Sequence, residues 1–283
     1  MSTGDLLLVG TALIAAAVNG GLGYGFSSIT VPVALLFRSS RALNPALVLL
    51  ELFINALALV ANRRGLPAVL SRVWPLLVGA VPGVVVGSLV LATAALGHLQ
   101  LFTFAALLPL ILIQSAGLRR PIRRERAAAV PAGAALGVLY GATTIAGPPL
   151  ALLFNNQGLA RDEFRAALSL FRIVESSCTA LAYLALGLFS TDSLRLSGQL
   201  APAVLVGLPL GYALLRKLPA ETFRRTCMAV DALLVGFGLA RSAIAQDVAS
   251  PALAWAGFAV VFCIEAAFVA SYLRGRVGAE AAT

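Results

Sequence analysis

The sequence is poor in charge, in histidine and in cysteine, and each shortage excludes a class of protein. Only 12% of its 283 residues are charged, whereas 60% are hydrophobic. A chain of this composition exposes large apolar patches if it folds in water. A single histidine and three cysteines without a CxxC spacing argue against a metal centre or a thiol relay, and no cofactor is expected. We therefore expect an integral membrane protein surrounded by the lipid bilayer.

Motifs of enzymes, ATPases and nucleic-acid-binding proteins are also missing. The chain has no HExxH or GxSxG motif, so an intramembrane enzyme is the weakest functional hypothesis. It has no GxxxxGK[ST] loop, so ATP is not the direct energy source unless a partner brings it. The net charge of +9 comes from arginines between apolar stretches and not from a basic face with interleaved aromatics, so no nucleic acid is expected as a partner.

Apolar stretches long enough to cross a bilayer recur along the whole chain. A hydrocarbon core of ~30 Å takes about 20 helical residues. The first and the fifth stretch are too long for one crossing and are interrupted by Gly, Pro and hydroxyl residues. The linkers are short, which excludes a globular domain between the stretches. The stretches cover residues 6–37, 46–61, 73–96, 99–117, 127–154, 166–189, 200–215, 228–244 and 252–273.

The two interrupted stretches are copies of each other. Residues 23–37 read GYGFSSITVPVALLF, and residues 140–154 read YGATTIAGPPLALLF. Glycine, paired hydroxyls and proline break a helix, and breaks at corresponding positions of two halves point to the binding site of a secondary transporter. Packing kinks, at which small residues let helices approach closely, are the alternative.

The basic residues predict how the second copy is threaded. If every stretch crossed once, the Lys and Arg residues of the loops would divide evenly between the two sides. If 127–154 instead enters and leaves on one side as a hairpin, nearly all of them fall together, as the positive-inside rule requires. The residues left on the other side are Arg38, Arg41, Arg195 and Arg241.

These observations predict a fold with internal symmetry. We expect an all-α integral membrane protein with two inverted repeats, each a broken re-entrant hairpin plus three transmembrane helices, and one extra C-terminal helix. The units are a first repeat at 1–117, a basic cytoplasmic loop at 118–126, a second repeat at 127–244 and a C-terminal helix and tail at 245–283. Hairpins that enter from opposite faces bring their turns together near the midplane, where they form one site.

Side chains at the two turns are the candidates for binding a small anion. An oxyanion in a low-dielectric site needs donors, which helix N-termini, hydroxyls and a cation supply. We expect a half-helix to begin near Pro32 and another near Pro149, with proline in the first turn. Hydroxyls that bond their own helix backbone are the alternative. The candidate substrate-binding residues are Tyr24, Ser27, Ser28, Thr30, Tyr140, Thr143, Thr144 and Arg172.

Polar side chains inside the other spans are candidates for a supporting role. Arg172 either contacts the anion or is neutralised by Glu51 or Glu175, and the sequence leaves both interpretations open. Asn19, before the first break, is expected to brace the first hairpin. The supporting residues are Asn19, Pro32, Glu51, Asn55, Pro149 and Glu175.

The glycine-rich GLGYGFSSITVP, its echo at mid-chain and the basic LRRPIRRER between them resemble the sulfite exporter TauE/SafE family of membrane permeases. The resemblance covers residues 6 to about 243. It implies transport of sulfur-containing anions such as sulfite, thiosulfate or organosulfonates, or of another organic acid, by a multi-pass protein of the bacterial plasma membrane. We expect a secondary carrier that works by alternating access, and the candidate coupling ions are a proton and sodium. A small-anion channel is the second hypothesis, and the oligomeric state stays open.

The inverted arrangement predicts an N-terminus outside the cell and a C-terminus inside it. The reason is that each hairpin returns to the side it entered, so only the other helices cross the membrane. Three crossings in each half and one at the end are an odd number, which places the two termini on opposite sides. Reporter tags fused to each terminus measure this. A cytoplasmic N-terminus would contradict the first hairpin.

Overall fold

The computed structural model describes residues 3–116, 125–214 and 220–280, and the regular structure of these residues is entirely helical. The all-α class is confirmed for this part of the chain. Most of the predicted basic loop, residues 118–124, lies outside it. The helices are α1 (Thr3–Leu22), α2 (Phe26–Ala34), α3 (Ser40–Ala61), α4 (Leu66–Thr93), α5 (Leu96–Ser115), α6 (Glu125–Thr143), α7 (Gly147–Asn156), α8 (Arg161–Ala185), α9 (Thr191–Leu214), α10 (Ala220–Ala245) and α11 (Pro251–Glu280).

Seven of these helices are long and apolar enough to cross a membrane. Large apolar side chains such as Val81, Val85 and Leu205 are exposed on them, as expected for a lipid-facing surface. The apolar stretches of α5 and α6, Gly97–Ile113 and Ala127–Thr143, are shorter. The chain is therefore a multi-pass membrane protein. The seven stretches are Gly4–Leu22, Ser40–Ala61, Arg63–Thr93, Asp162–Ala185, Thr191–Ala213, Met228–Ala245 and Pro251–Tyr272.

Both interrupted stretches are broken, the second within the predicted turn and the first a few residues before it, so that Ser27, Ser28 and Thr30, which are expected in the turn, lie inside α2. Between α1 and α2, Gly23 and Gly25 have left-handed backbone conformations, with φ of 86° and 114°, which residues with a Cβ rarely adopt. Between α6 and α7 the left-handed residue is Thr144, with φ of 59°. A β-branched residue in this conformation is strained by about 1–3 kcal/mol, and such strain clusters at functional sites.

The first broken pair, α1 and α2, folds back on itself. Arg38, which follows α2, donates a hydrogen bond to Asp5 in the first turn of α1, at 2.5 Å. Arg38 and Asp5 also line one cavity together with Arg195 near the start of α9. The pair α1 and α2 thus begins and ends at the same end of the helix bundle.

The second broken pair, α6 and α7, begins and ends at the opposite end of the bundle. Arg41 in α3 donates to the carbonyl of Ala94 after α4, so α5 starts at the Arg41 end and finishes at the other one. Asn62, after α3, shares a cavity with Asp162 in the first turn of α8, so α8 starts at that other end. The segment between α5 and α8 therefore returns to the end at which it starts.

Two helix pairs approach each other closely through glycines. A Cβ atom placed on the facing glycines of α4 and α6 would lie 1.9–2.5 Å from a carbonyl oxygen of the partner helix. Contacts this close exclude any larger residue, and their four-residue spacing is the small-xxx-small pattern of membrane helix pairs. The pair of α1 and α9 packs in the same way through Gly20, Gly207 and Gly211. The glycines of the first pair are Gly79, Gly83 and Gly87 in α4 and Gly133, Gly137 and Gly141 in α6.

The close pairs connect the two halves of the chain reciprocally. Helix α1 opens the first hairpin and packs on α9 of the second half, whereas α6 opens the second hairpin and packs on α4 of the first half. Helices α3 and α8 contact each other at the centre, and α5 packs on α10. Each hairpin is thus held by the half to which it does not belong. The opposite orientation of the halves across a membrane stays a prediction.

Gly137→Ala is expected to lower the free energy of unfolding by about 1–3 kcal/mol, because its Cβ overpacks the interface of α4 and α6. Gly257→Ala in α11, where nothing lies within 4 Å, is the matched control. It should be neutral or stabilising by up to about 1 kcal/mol, because alanine favours the helix. Thermal unfolding of the purified variants measures both, and equal effects would contradict the close packing.

Candidate functional site

The tips of the two hairpins meet. A Cβ atom on Gly147, the first residue of α7, would lie 3.2 Å from Cβ of Tyr24 and 3.6 Å from the backbone nitrogen of Gly25. The same atom would lie 3.0 Å from Nη1 of Arg172. Glycine at 147 therefore lets the second tip approach the first tip and the arginine together. The two breaks, more than a hundred residues apart in sequence, form one location.

Glu51 is the centre of this location. It lies near the middle of α3 and is completely buried. One carboxylate oxygen accepts hydrogen bonds from the hydroxyl of Ser27 in α2 and from Nη2 of Arg172 in α8, the latter at 2.5 Å. The other oxygen accepts from the hydroxyl of Tyr140 in α6, at 2.5 Å. One carboxylate thus joins both hairpins to α3 and α8.

Arg172 forms a buried ion pair with Glu51. Its side chain is 3% exposed and lies near the middle of α8. Of the two interpretations that the sequence leaves open, neutralisation by a carboxylate is the one seen here, with Glu51 as the partner. The Nε atom of Arg172 has no hydrogen-bond acceptor among the described residues. The guanidinium therefore keeps at least one donor that Glu51 does not use.

Asn55 ties the two central helices together beside the ion pair. Its amide nitrogen lies 3.4 Å from the carbonyl oxygen of Arg172 and 3.4 Å from the hydroxyl of Ser176. Asn55 follows Glu51 by one helical turn, so both face α8, as their spacing predicts. This amide fixes how α3 and α8 sit against each other at the depth of the ion pair.

Three predicted substrate hydroxyls bond to backbone carbonyls close to them in sequence. Ser28 donates to Gly25 at 3.2 Å, Thr143 to Leu139 at 2.6 Å, and Thr144 to Thr143 at 2.6 Å. The backbone-bonded alternative therefore holds for them in this structure. Thr30 is fully buried and its hydroxyl has no partner among the described residues. Tyr24 is buried against Gly147.

The position predicted for Pro32, in the first turn of a half-helix, is wrong, whereas the position predicted for Pro149 is confirmed. Helix α2 begins at Phe26, directly after the left-handed Gly25, so that Pro32 lies inside the helix and not in its first turn. Pro149 does lie in the first turn of α7. A proline inside a helix removes one backbone donor, which here leaves the Ser28 carbonyl without the amide hydrogen of residue 32.

A cavity of about 370 Å³ lies between α1, α3, α8 and α9 and reaches Asn55. Asn19 lines this cavity, and its side-chain oxygen accepts no hydrogen bond from the described residues. The expected bracing of the hairpin by Asn19 stays a prediction. Arg165 of α8 does hold the first hairpin, by donating to the carbonyl of Gly21 near the end of α1. The cavity leads from the Asp162 end of the bundle towards the ion pair.

Several polar residues at the site are not among those predicted. Tyr183 donates to the carbonyl of Gly141 at 2.7 Å, and Asn44 donates to that of Ala142 at 2.8 Å. Both carbonyls directly precede the second break, so these side chains replace backbone donors that the break removes. Polar side chains at membrane depth are the signal in the sequence, but depth alone does not identify their partners.

Two further carboxylates are buried, one beside the ion pair and one beside Ser28. Glu175 follows Arg172 by one turn, and neither of its oxygens has a hydrogen-bond donor among the described residues. The same holds for Asp231 of α10, which is fully buried beside the hydroxyl of Ser28. Of the basic side chains that the structure describes, Arg172 alone is fully buried. The site thus holds more acidic than basic groups.

Comparison with known proteins identifies one family. The model of the family described as sulfite exporter TauE/SafE matches residues 8–239, which include both hairpins, Glu51 and Arg172. No curated protein and no solved structure matches the chain.

Glu51→Leu is expected to lower the free energy of unfolding by about 3–5 kcal/mol, because it leaves the charge of Arg172 buried without a partner. The double variant Glu51→Leu/Arg172→Met should recover much of this loss, since contacting residues are not additive. Glu265→Leu in α11, which removes a buried carboxylate outside the ion pair, is the control and should cost far less. Thermal unfolding measures these variants together with Arg172→Met alone, and simple additivity of the two single changes in the double variant would contradict the coupling.

Proposed function

The chain belongs to the sulfite exporter TauE/SafE family, and from that premise we propose that it is a secondary carrier that exports small sulfur-containing anions. Membership of the family implies a membrane transporter of sulfur anions. The substrates that we propose are sulfite, thiosulfate and organosulfonates, and the proposed location is the plasma membrane of a bacterium. The anion binds where the hairpin tips meet.

The convergence of donors on one buried position is the observation that carries this proposal. Ser27, Tyr140 and Arg172 belong to three separate helices, yet all three donate to the same carboxylate. A carboxylate and a sulfur oxyanion accept the same kind of charge-assisted hydrogen bond. A set of donors that binds a carboxylate is therefore also suited to a sulfur oxyanion.

The depth of this position supports a carrier. Glu51 and Arg172 lie about halfway along α3 and α8, and secondary transporters bind their substrates near the bilayer midplane between repeats with broken helices. The cavity at the Asp162 end reaches Asn55, next to the ion pair. A second cavity of about 380 Å³, lined by Arg38 and Arg195, lies at the opposite end. We propose that the closed hairpin tips separate these cavities and that access alternates between them.

The reciprocal packing supports a rocking motion of two units. One unit contains α1 and α9 and the other contains α4 and α6, and the glycine contacts make each pair rigid. Because each pair contains the first helix of one hairpin, a rotation of one pair against the other moves the two tips apart. Opposite insertion of the two halves is part of this proposal.

Liposomes that contain the purified protein test the function. Saturable uptake of labelled thiosulfate or sulfite, with counterflow, is the result expected for a carrier. Ionic conductance without saturation would assign a channel instead. Stabilisation of the purified protein by carboxylates but not by sulfur anions would assign another organic acid as substrate.

Arg172→Lys is expected to lower the transport rate at limiting substrate by about ten- to a hundredfold. Lysine keeps the charge but loses the planar fork, and one charge-assisted hydrogen bond is worth about 1.5–3 kcal/mol. The matched control is Arg241→Lys, at an exposed position of α10, which should transport as the wild type does. Flux at equal protein content measures both, and unchanged flux in Arg172→Lys would assign Arg172 to the ion pair alone.

A further inference from the structure

The donors that an anionic substrate needs are already occupied by an anion of the protein. Glu51 is completely buried and accepts from Ser27, Tyr140 and Arg172. No described lysine or arginine other than Arg172 is buried with them. A substrate that uses the same three donors must therefore displace the carboxylate of Glu51 from them.

Resting on the proposed function, we propose that Glu51 is an internal competitor of the substrate, and that the anion binds when Glu51 takes up a proton and releases its donors. Two anions cannot share one cation in a site without water, because their repulsion is barely screened there. A protonated Glu51 removes this repulsion. One anion and one proton are then bound together and move in the same direction.

The other charged and titratable groups around Glu51 determine the net charge of the site. Glu175 in α8 faces Arg172 and Glu51, and Tyr140 in α6 and Tyr183 in α8 face Glu51. Asp231 in α10 lies beside Ser28. The proposal includes that Glu175 and Asp231 are neutral, because a buried charge without a hydrogen-bonded cation is costly. With Glu175 and Asp231 neutral, Glu51 and Arg172 cancel each other.

A singly charged anion such as methanesulfonate restores this balance only if one proton comes with it, whereas a dianion such as thiosulfate leaves one negative charge even then. With methanesulfonate but without the proton, the closed site would hold one net negative charge, whereas with the proton the site is again neutral. The proton comes from the water of the Asp162-end cavity, which reaches Asn55, one turn from Glu51. A hydronium ion transfers its proton to a carboxylate oxygen of Glu51 and leaves as water. The guanidinium of Arg172 and the two hydroxyls then bind the anion.

The experiment measures anion binding and proton uptake on the full-length purified protein. The probes are methanesulfonate and thiosulfate, which do not change protonation near neutral pH. We expect uptake of about one proton for each methanesulfonate bound, followed with an indicator dye in weak buffer. The dissociation constant should rise about tenfold for each pH unit at alkaline pH, since two linked ligands change each other's affinity by the same factor.

Three variants assign the proton to a residue. Glu51→Gln should bind methanesulfonate with no pH dependence, and at alkaline pH at least about tenfold more tightly than the wild type, because the competing charge is gone. Glu265→Gln, in which a buried carboxyl of α11 next to Ser115 is changed, should keep the wild-type pH dependence. In Glu175→Gln, which changes a carboxyl of the site itself, the number of protons taken up for each anion should stay at about one, whatever the affinity.

Each outcome decides between the two proposals. If neither probe binds at any pH, the proposed function is contradicted and this inference with it. If a probe binds without proton uptake by the wild-type protein, the inference alone is wrong. Loss of proton uptake in Glu175→Gln, with uptake retained in Glu51→Gln, would also overturn it. If Glu51→Gln does not fold, the absence of proton uptake by the wild type, or its loss in Glu175→Gln, still overturns the inference.

Discussion

The ion pair between Glu51 and Arg172 is the interaction on which the rest of the structure depends. It is buried halfway along the two central helices, and the hydroxyls of Ser27 and Tyr140 bind the same carboxylate. A buried ion pair contributes little net stability, but the loss of one partner is costly. It therefore specifies one arrangement of the helices around it. Both hairpins take their positions from it.

Close helix contacts make that arrangement rigid. The glycines between α4 and α6 and between α1 and α9 bring backbones so near that sliding one helix along the other would create clashes. The hairpin tips can therefore move only together with their partner helices. Strain at Thr144, the left-handed residue of the second tip, is tolerated because Asn44 and Tyr183 hold the carbonyls just before it.

Much of the fold follows from the sequence, but less of the site does. Repeated Gly, Pro and hydroxyl residues predicted both breaks, because these residues act on the local backbone wherever they occur. Local rules failed at Pro32, since Gly25 lets α2 begin earlier. The direct link from Glu51 to Ser27, Tyr140 and Arg172 could not be derived, because spacing gives the depth and face of a residue but not its neighbours on other helices. Asp231 was missed as a site residue for the same reason.

The packing of α1 on α9 and of α4 on α6, each across the two halves, has a consequence for biosynthesis. A ribosome completes α1 and α2 long before it makes α9, and α4 before α6. The first half thus enters the membrane with its glycine grooves facing lipid or the insertion machinery, and with Glu51 still lacking its cation. Lipid does not provide the close helix contacts that the grooves make with the second half, and it does not provide the cation that pairs with Glu51. Final assembly must therefore follow translation of most of the chain, because α9 and Arg172 are made only with the second half.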